Sequence, residues 1–167
     1  MLKLAQGIDA LSEYTGRLTA YLILPLVLVV AYEVFARYLF NAPTIWAFEA
    51  TNFIYGVHFV LGFGYTLRHE GHVAIDVFEA RLPTRPRAIL RLIVGVILFL
   101  PTVGLLAYGS VRYARDSWGH LEKASTSWAP ALYPYKALMA VGFVLLLLQG
   151  VSRLIHDWQA LRQSDRT

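Results

Sequence analysis

The chain has 167 residues, 57% of them hydrophobic, no cysteine and a formal net charge of +4. The apolar excess over the roughly 45–50% of a soluble domain is gathered in blocks, and four membrane-crossing blocks of about 20 residues each leave no room for a soluble catalytic domain. The absence of cysteine excludes disulfides, thiolate nucleophiles and Cys-ligated metal or Fe–S sites, and basic residues set beside apolar blocks rather than on a face of their own argue against nucleic acid as a partner.

Residues 2–16 carry Leu4, Ile8 and Leu11 at helical spacing, with Lys3, Asp9 and Glu13 elsewhere. This predicts an amphipathic helix on the membrane surface. No small-x-small cleavage pattern follows Val30, so the first apolar block reads as retained rather than as a signal peptide. Span one is predicted over 18–39, bent or loosened by Pro25. Glu33 and Arg37 lie four apart near its end, acid first, the order that favours an ion pair along a helix. Asn41-Ala42-Pro43-Thr44 is a tight connection, and Thr44 can cap the next helix.

Span two is predicted over 45–67, forming an antiparallel hairpin with span one. It is long enough to cross a bilayer, yet it carries Glu49 and His58. An ionisable group in hydrocarbon costs several kcal/mol, so both must face protein or water. Nine residues separate them, about 180° around a helix, so span two is expected to have protein neighbours on both sides. Residues 68–87 form a polar, Arg-rich loop, with an interfacial helical segment expected at 73–82. Span three is predicted over 88–111 with Pro101 inside it, and span four over 133–154.

Four spans put the two termini and the middle loop on one side. The other side holds Arg37, Arg112, Arg115, Lys123 and Lys136, and the first side holds the rest of the 15 Lys and Arg. The richer side is expected to be cytoplasmic. The predicted fold class is thus an all-α membrane protein, one domain over 1–167, with four transmembrane helices, both termini cytoplasmic and short interfacial amphipathic helices.

The chemistry is sparse. Glu33, Arg37 and Glu49 cluster at the outer end of the hairpin, where Arg37 is expected to reach Glu33 and, across the turn, Glu49. A charge cluster that locks the hairpin or docks a partner is favoured over a proton relay, since one Arg between two acids is already paired. His58, near the middle of span two, is expected to bond a neighbouring helix; a haem ligand would need a second histidine at similar depth. His69 and His72, with Glu70 and Asp76 near, read as a polar cap, not as a metal site with four fixed ligands. Gly56, Gly62 and Gly64 narrow span two, and Gly104 and Gly109 narrow span three. No nucleophile–base–orienter set and no phosphate-binding glycine loop occurs, so no enzymatic activity and no cofactor is expected.

The ordered residues Glu33-Val-Phe-Ala-Arg37-Tyr-Leu-Phe, then Trp46 and Glu49, then Arg68 and His72-Val-Ala-Ile-Asp76-Val-Phe, resemble the small membrane subunit (DctQ type) of tripartite ATP-independent periplasmic (TRAP) transporters. The resemblance implies a multi-pass protein of the bacterial inner membrane that binds no substrate itself. It implies two partners besides membrane lipids: a large membrane (DctM-type) subunit that moves an organic acid with sodium, and a periplasmic substrate-binding protein. The small subunit would scaffold the first and help dock the second. It also implies that Arg37, Trp46, Glu49, Arg68, His72 and Asp76 are structural and interface residues, to which the residue reading adds Glu33 and His58. A haem b/quinone anchor for a dehydrogenase and a small proton-coupled exporter are the alternatives.

Overall fold

A computed structural model describes residues 2–69 and 83–164. It contains six α-helices among the described residues: α1 (Leu2–Ala20), α2 (Ile23–Leu39), α3 (Ala47–Arg68), α4 (Thr84–Val94), α5 (Leu100–Gly119) and α6 (Tyr133–Ser164). A five-residue π-turn, Gly95–Phe99, joins α4 to α5 into one rod. No strand is present among these residues, only an isolated antiparallel bridge between Lys123 and Ala131 in the loop before α6.

The two interruptions have one cause, proline. Pro25 lacks an amide hydrogen and its ring crowds the carbonyl four residues back. That carbonyl belongs to Tyr21, where α1 gives way to a tight turn. Tyr21 and Leu22 donate to Leu18 and Thr19 three residues back, and Leu24 donates to Tyr21, before α2 resumes. Pro101 acts in the same way on Ile97, at the centre of the π-turn, where the Leu100 amide reaches back five residues to Gly95.

Helix α6 is the hub. It packs on α1, α3, α4 and α5, whereas α2 packs on α3. The central apolar contact joins Leu67, Val103 and Leu146, with Phe63, Phe99 and Leu147 around it. Helices approach closely where one supplies a glycine. Tyr65 of α3 lies over Gly16, Tyr135 over Gly56, Val60 over Gly142, and Phe99 over Gly150. Gly62, Gly104 and Gly109, expected to narrow their spans, have nothing among the described residues within 4 Å of a Cβ position. Helix α1 turns a small-residue stripe, Ala5, Ser12, Gly16 and Thr19, to the bundle and leaves Leu4, Leu11 and Leu18 exposed.

Three helical runs are long and apolar enough to cross a membrane: Leu2–Leu39, Pro86–Gly119 and Tyr133–Arg162. The sequence reading expected four. Helix α3 has 22 residues, but Glu49, Thr51, Asn52, His58, Thr66 and Arg68 dilute its apolar content. Helix α2, by contrast, buries none of its residues. The expected interfacial segment 73–82, with His72 and Asp76, lies outside the described residues.

Candidate functional site: polar locks at the two ends of the bundle

At the end of the bundle where α1 begins, α3 stops and α6 ends, charged groups tie three helices together. Asp9 of α1 is the centre. Its Oδ1 accepts from Gln149 Nε2 at 2.8 Å and from Ser152 Oγ at 2.7 Å, and its Oδ2 lies 2.9 Å from His156 Nε2. These partners sit three and then four residues apart on α6, so one face presents all of them. Gln149 and Ser152 are buried, and the Ser152 hydroxyl also lies 3.2 Å from the carbonyl of Ala5. Burial raises the Asp9 carboxyl, but bonds from Ser152, Gln149 and His156 outweigh it and hold the group below its ordinary 3.8.

One turn on, Glu13 gathers an imidazole and two guanidiniums. His69 Nε2 lies 2.9 Å away, Arg17 Nε 2.8 Å and Arg68 Nη1 3.1 Å. The His69 bond, opposed by burial and helped by both arginines, holds Glu13 below its ordinary 4.5. Arg68 also donates to the main-chain carbonyl of Asp9. So Arg68, at the last turn of α3, grips α1 twice. A guanidinium suits this place, since it offers several donors in a fixed fork and favours a helix C-terminus.

Midway along α3, His58 Nδ1 donates to the carbonyl of Thr19 at 2.8 Å. That carbonyl lies at the α1–α2 break, where Thr19 also accepts from Leu22 three residues on. The histidine therefore ties α3 to the weakest point of the N-terminal rod.

At the opposite end, Glu33 closes the α2–α3 hairpin. Its Oε1 accepts from Arg37 Nε at 3.1 Å, and its Oε2 accepts from the Thr44 amide at 3.1 Å and from the Thr44 hydroxyl. The Thr44 hydroxyl in turn receives the Ala47 amide at 3.3 Å, in the first turn of α3. Asn41 adopts the left-handed conformation (φ 47°) that asparagine tolerates, and the Ala42 amide reaches back to Ala36. Trp46 stacks on Tyr32 with ring centroids 5.8 Å apart. The reach of Arg37 across the turn to Glu49 is not realised. Arg37 is spent on Glu33, and Glu49 lies past the start of α3 with its Oε2 buried and without a hydrogen-bond partner among the described residues.

A second lock at this end was not foreseen. Lys136 is only 7% exposed, bonds Glu122, and stands 3.8 Å from the Tyr113 ring centroid. The Lys136 bond pulls the Glu122 carboxyl below its ordinary 4.5. It fixes a loop that folds on itself through Ala124 to Pro130 and Leu132 to Glu122, with Trp118 edge-on to Tyr133.

Sequence comparison places the chain in a family. Residues 26–160 match the family described as tripartite ATP-independent periplasmic transporters, DctQ component. The chain belongs to the DctQ family. It is 30% identical over 111 residues to the C4-dicarboxylate TRAP transporter small permease protein DctQ of Vibrio cholerae. That alignment takes in 66% of this chain and 46% of the relative, so the match spans about half of that protein's length. It is 23% identical over 144 residues to the sialic acid TRAP transporter small permease protein SiaQ of the same organism, covering 81% of this chain and 83% of the relative. In this DctQ-family chain the match begins at Leu26, so Asp9 and Glu13 precede it. The sequence signal for the Asp9 lock was Gln149, Ser152 and His156 at helical spacing on one face of α6.

Proposed function

We propose that the chain is the small, non-catalytic membrane subunit of a sodium-coupled TRAP importer of an organic acid in the bacterial inner membrane. It scaffolds a large DctM-type transport subunit and helps to dock a periplasmic binding protein. Both curated relatives are named for acidic solutes, a C4-dicarboxylate and sialic acid, which supports that substrate class. Helix α3 is the fourth span in this reading. His58 and Arg68 bond α1, and Thr51 and Thr66 bond carbonyls of α3 itself, which is how a helix with polar residues stays in a bilayer. Both termini then face the cytoplasm, in keeping with the Lys and Arg bias.

The observation that carries the scaffolding role is the placement of the charges. Asp9, Glu13, Glu33, Arg68 and Lys136 each bond another helix or the adjoining loop or connection, at one end of the bundle or the other. A solute path needs polar groups in series through the midplane. Ties at both ends make a stiff body instead, able to hold still while a partner's transport domain moves.

The test is affinity purification of the tagged chain from its native membrane in mild detergent, followed by reconstitution with and without the co-eluting protein. A larger membrane protein is expected to co-elute, and uptake of a carboxylate is expected only when it is present with the binding protein. Carboxylate accumulation by the chain alone overturns the proposal. A Soret band in the purified chain would favour the haem-anchor alternative. Topology is checked by single-cysteine labelling, for which the cysteine-free sequence is a ready background.

A further inference from the structure

Helix α3 carries two stripes of side chains with the same spacing, and the bundle fills only one of them. Phe53, Gly56, Val60, Phe63 and Leu67 form the first. Helix α6 covers it: Tyr135 stacks on Phe53 and lies over Gly56, Val60 lies over Gly142, and Phe63 and Leu67 share the apolar contact with Leu146. The second stripe is Phe48, Asn52, Tyr55, Phe59, Gly62 and Thr66, which steps alternately by four and three residues along nearly the whole helix. It lies about 100° round the axis from the first. Phe48, Asn52, Tyr55 and Phe59 are exposed, and a Cβ at Gly62 would meet nothing among the described residues within 4 Å.

Alternating steps of four and three average 3.5 residues, the period that keeps one face of a helix against another helix. The chemistry of the stripe also argues against lipid as its cover. Asn52 lies about 8 Å along α3 from the first residue of the helix, and its side-chain amide has no hydrogen bond to another described residue. Hydrocarbon offers it none. The Tyr55 and Phe59 rings, 4.5 Å apart, form a ridge. Past the ridge the helix narrows at Gly62 into a crevice of about 400 Å³, which His58, Thr19 and Ala20 also line. The Thr66 hydroxyl is taken by the Gly62 carbonyl and His58 Nδ1 by the Thr19 carbonyl. The Asn52 amide and the Tyr55 hydroxyl are the hydrogen-bonding groups of the stripe left without a partner among the described residues.

We propose that this stripe seats a transmembrane helix of the large transport subunit. That helix carries a hydrogen-bonding side chain at the depth of Asn52 and a bulky apolar one that enters the crevice at Gly62. The inference rests on the reading of α3 as a span of a DctQ-type subunit and adds the face that meets the partner. A second copy of this chain does not fit. Two copies in one membrane pair about a two-fold axis along the membrane normal, so each residue meets its own counterpart at equal depth. Tyr55 then faces Tyr55 and Phe59 faces Phe59, while Gly62 faces Gly62: rings against rings and gap against gap. Knobs need holes, and a helix of different sequence supplies them. A single amide in an apolar seam also fixes the register of the two helices, which suits a scaffold that must hold still against its partner.

The test uses the full, tagged chain in its native membrane. Benzoylphenylalanine in place of Phe59 is irradiated there, and an adduct with a much larger membrane protein is expected after purification. Two variants are purified in mild detergent alongside the wild type. Gly62→Leu fills the crevice and is expected to cut the co-eluting larger protein at least about tenfold. Because the site is open, the isolated Gly62→Leu chain is expected to unfold at or above the wild-type temperature. Asn52→Leu is expected to cut co-elution about fivefold, the contribution of one interhelical hydrogen bond. Adducts of the Phe59 probe confined to lipid or to a second copy, while the larger protein still co-elutes, overturn this inference and leave the proposed function standing. Co-elution at the wild-type level with both variants overturns it as well. If no larger membrane protein co-elutes with the wild type, the proposed function and this inference fall together.

Discussion

Gly142 offers the sharpest test of the packing. A Cβ placed there falls 2.4 Å from Val60 Cγ1, 2.7 Å from the Val60 carbonyl oxygen and 2.8 Å from its carbon. The Val60 side chain can rotate away, but the main chain of α3 cannot. Recovering an ordinary contact of about 3.4 Å requires α3 and α6 to part by about 0.7 Å, and the core around Leu67 and Leu146 opens with them. Overpacking of this kind costs about 1–3 kcal/mol, against which alanine regains up to about 1 kcal/mol of helix propensity. Gly142→Ala is therefore expected to lose about 1 kcal/mol net. Gly104→Ala, where nothing lies within 4 Å, collects the propensity gain without the clash and is expected to be neutral to about 1 kcal/mol more stable. The two variants should differ by about 2 kcal/mol, or roughly 4–8 °C in unfolding temperature for a chain of this size. Thermal unfolding of both in the same detergent measures the gap. Coincident melting curves would refute the inference that α3 and α6 meet backbone to backbone at this crossing.

Four further outcomes follow from the locks. Asp9 and Glu13 titrate below their ordinary values in the folded chain, so the stability they contribute is complete above those ordinary values of 3.8 and 4.5. It is lost as pH falls through their depressed native values, so α1 should loosen below about pH 4, seen as proteolytic sensitivity of the first 20 residues, and Asp9→Ala should bring that sensitivity to neutral pH. His58→Phe removes the tie to Thr19 and is expected to cost about 1 kcal/mol, measured by thermal unfolding, with labelling of single cysteines near Tyr21 accelerated. Thr44→Val deprives Glu33 of the hydroxyl and leaves Arg37 in place, so the hairpin should loosen by about 1 kcal/mol while the Glu33–Arg37 pair persists; disulfide trapping between positions 32 and 46 reports it. Lys136→Met leaves Glu122 without its cation, and faster protease cleavage within 120–131 is the expected result, with cleavage at the wild-type rate counting against the lock.

Much of this architecture could be read from spacing. Glu33 and Arg37 four apart predicted their own pair, Pro25 predicted a disturbed turn, and His58 in an apolar run predicted a neighbour to bond. What spacing could not supply was the neighbour's identity. Asp9 and Glu13 on an amphipathic helix look like water-facing residues, because amphipathicity separates polar from apolar and does not tell solvent from a polar patch on another helix. Lys136 was counted only as an outer positive charge, since nothing local reveals Tyr113 and Glu122 converging on it. Gly56 and Gly64 do meet other helices, but Gly62, Gly104 and Gly109 failed for the same reason. Gly62 and Gly104 resemble Gly142 and Gly150 in sequence, yet only the latter meet another helix. The count of spans differed because Glu49 and the polar residues after it lower the hydropathy of a helix that has the length to cross.

The π-turn has one more consequence. Gly95 faces Leu154, Phe99 faces Gly150, and Val103 meets Leu146, a ladder whose rungs are four residues apart on both helices. In a regular α-helix each four-residue step overshoots a full rotation by about 40°, so such a row spirals away from its partner. The widened turn holds one extra residue and thereby takes back about 100° of that drift. Excising a single residue between positions 95 and 99 would restore uniform winding and swing Val103, Ala107 and everything beyond them off α6 by about a quarter of a revolution.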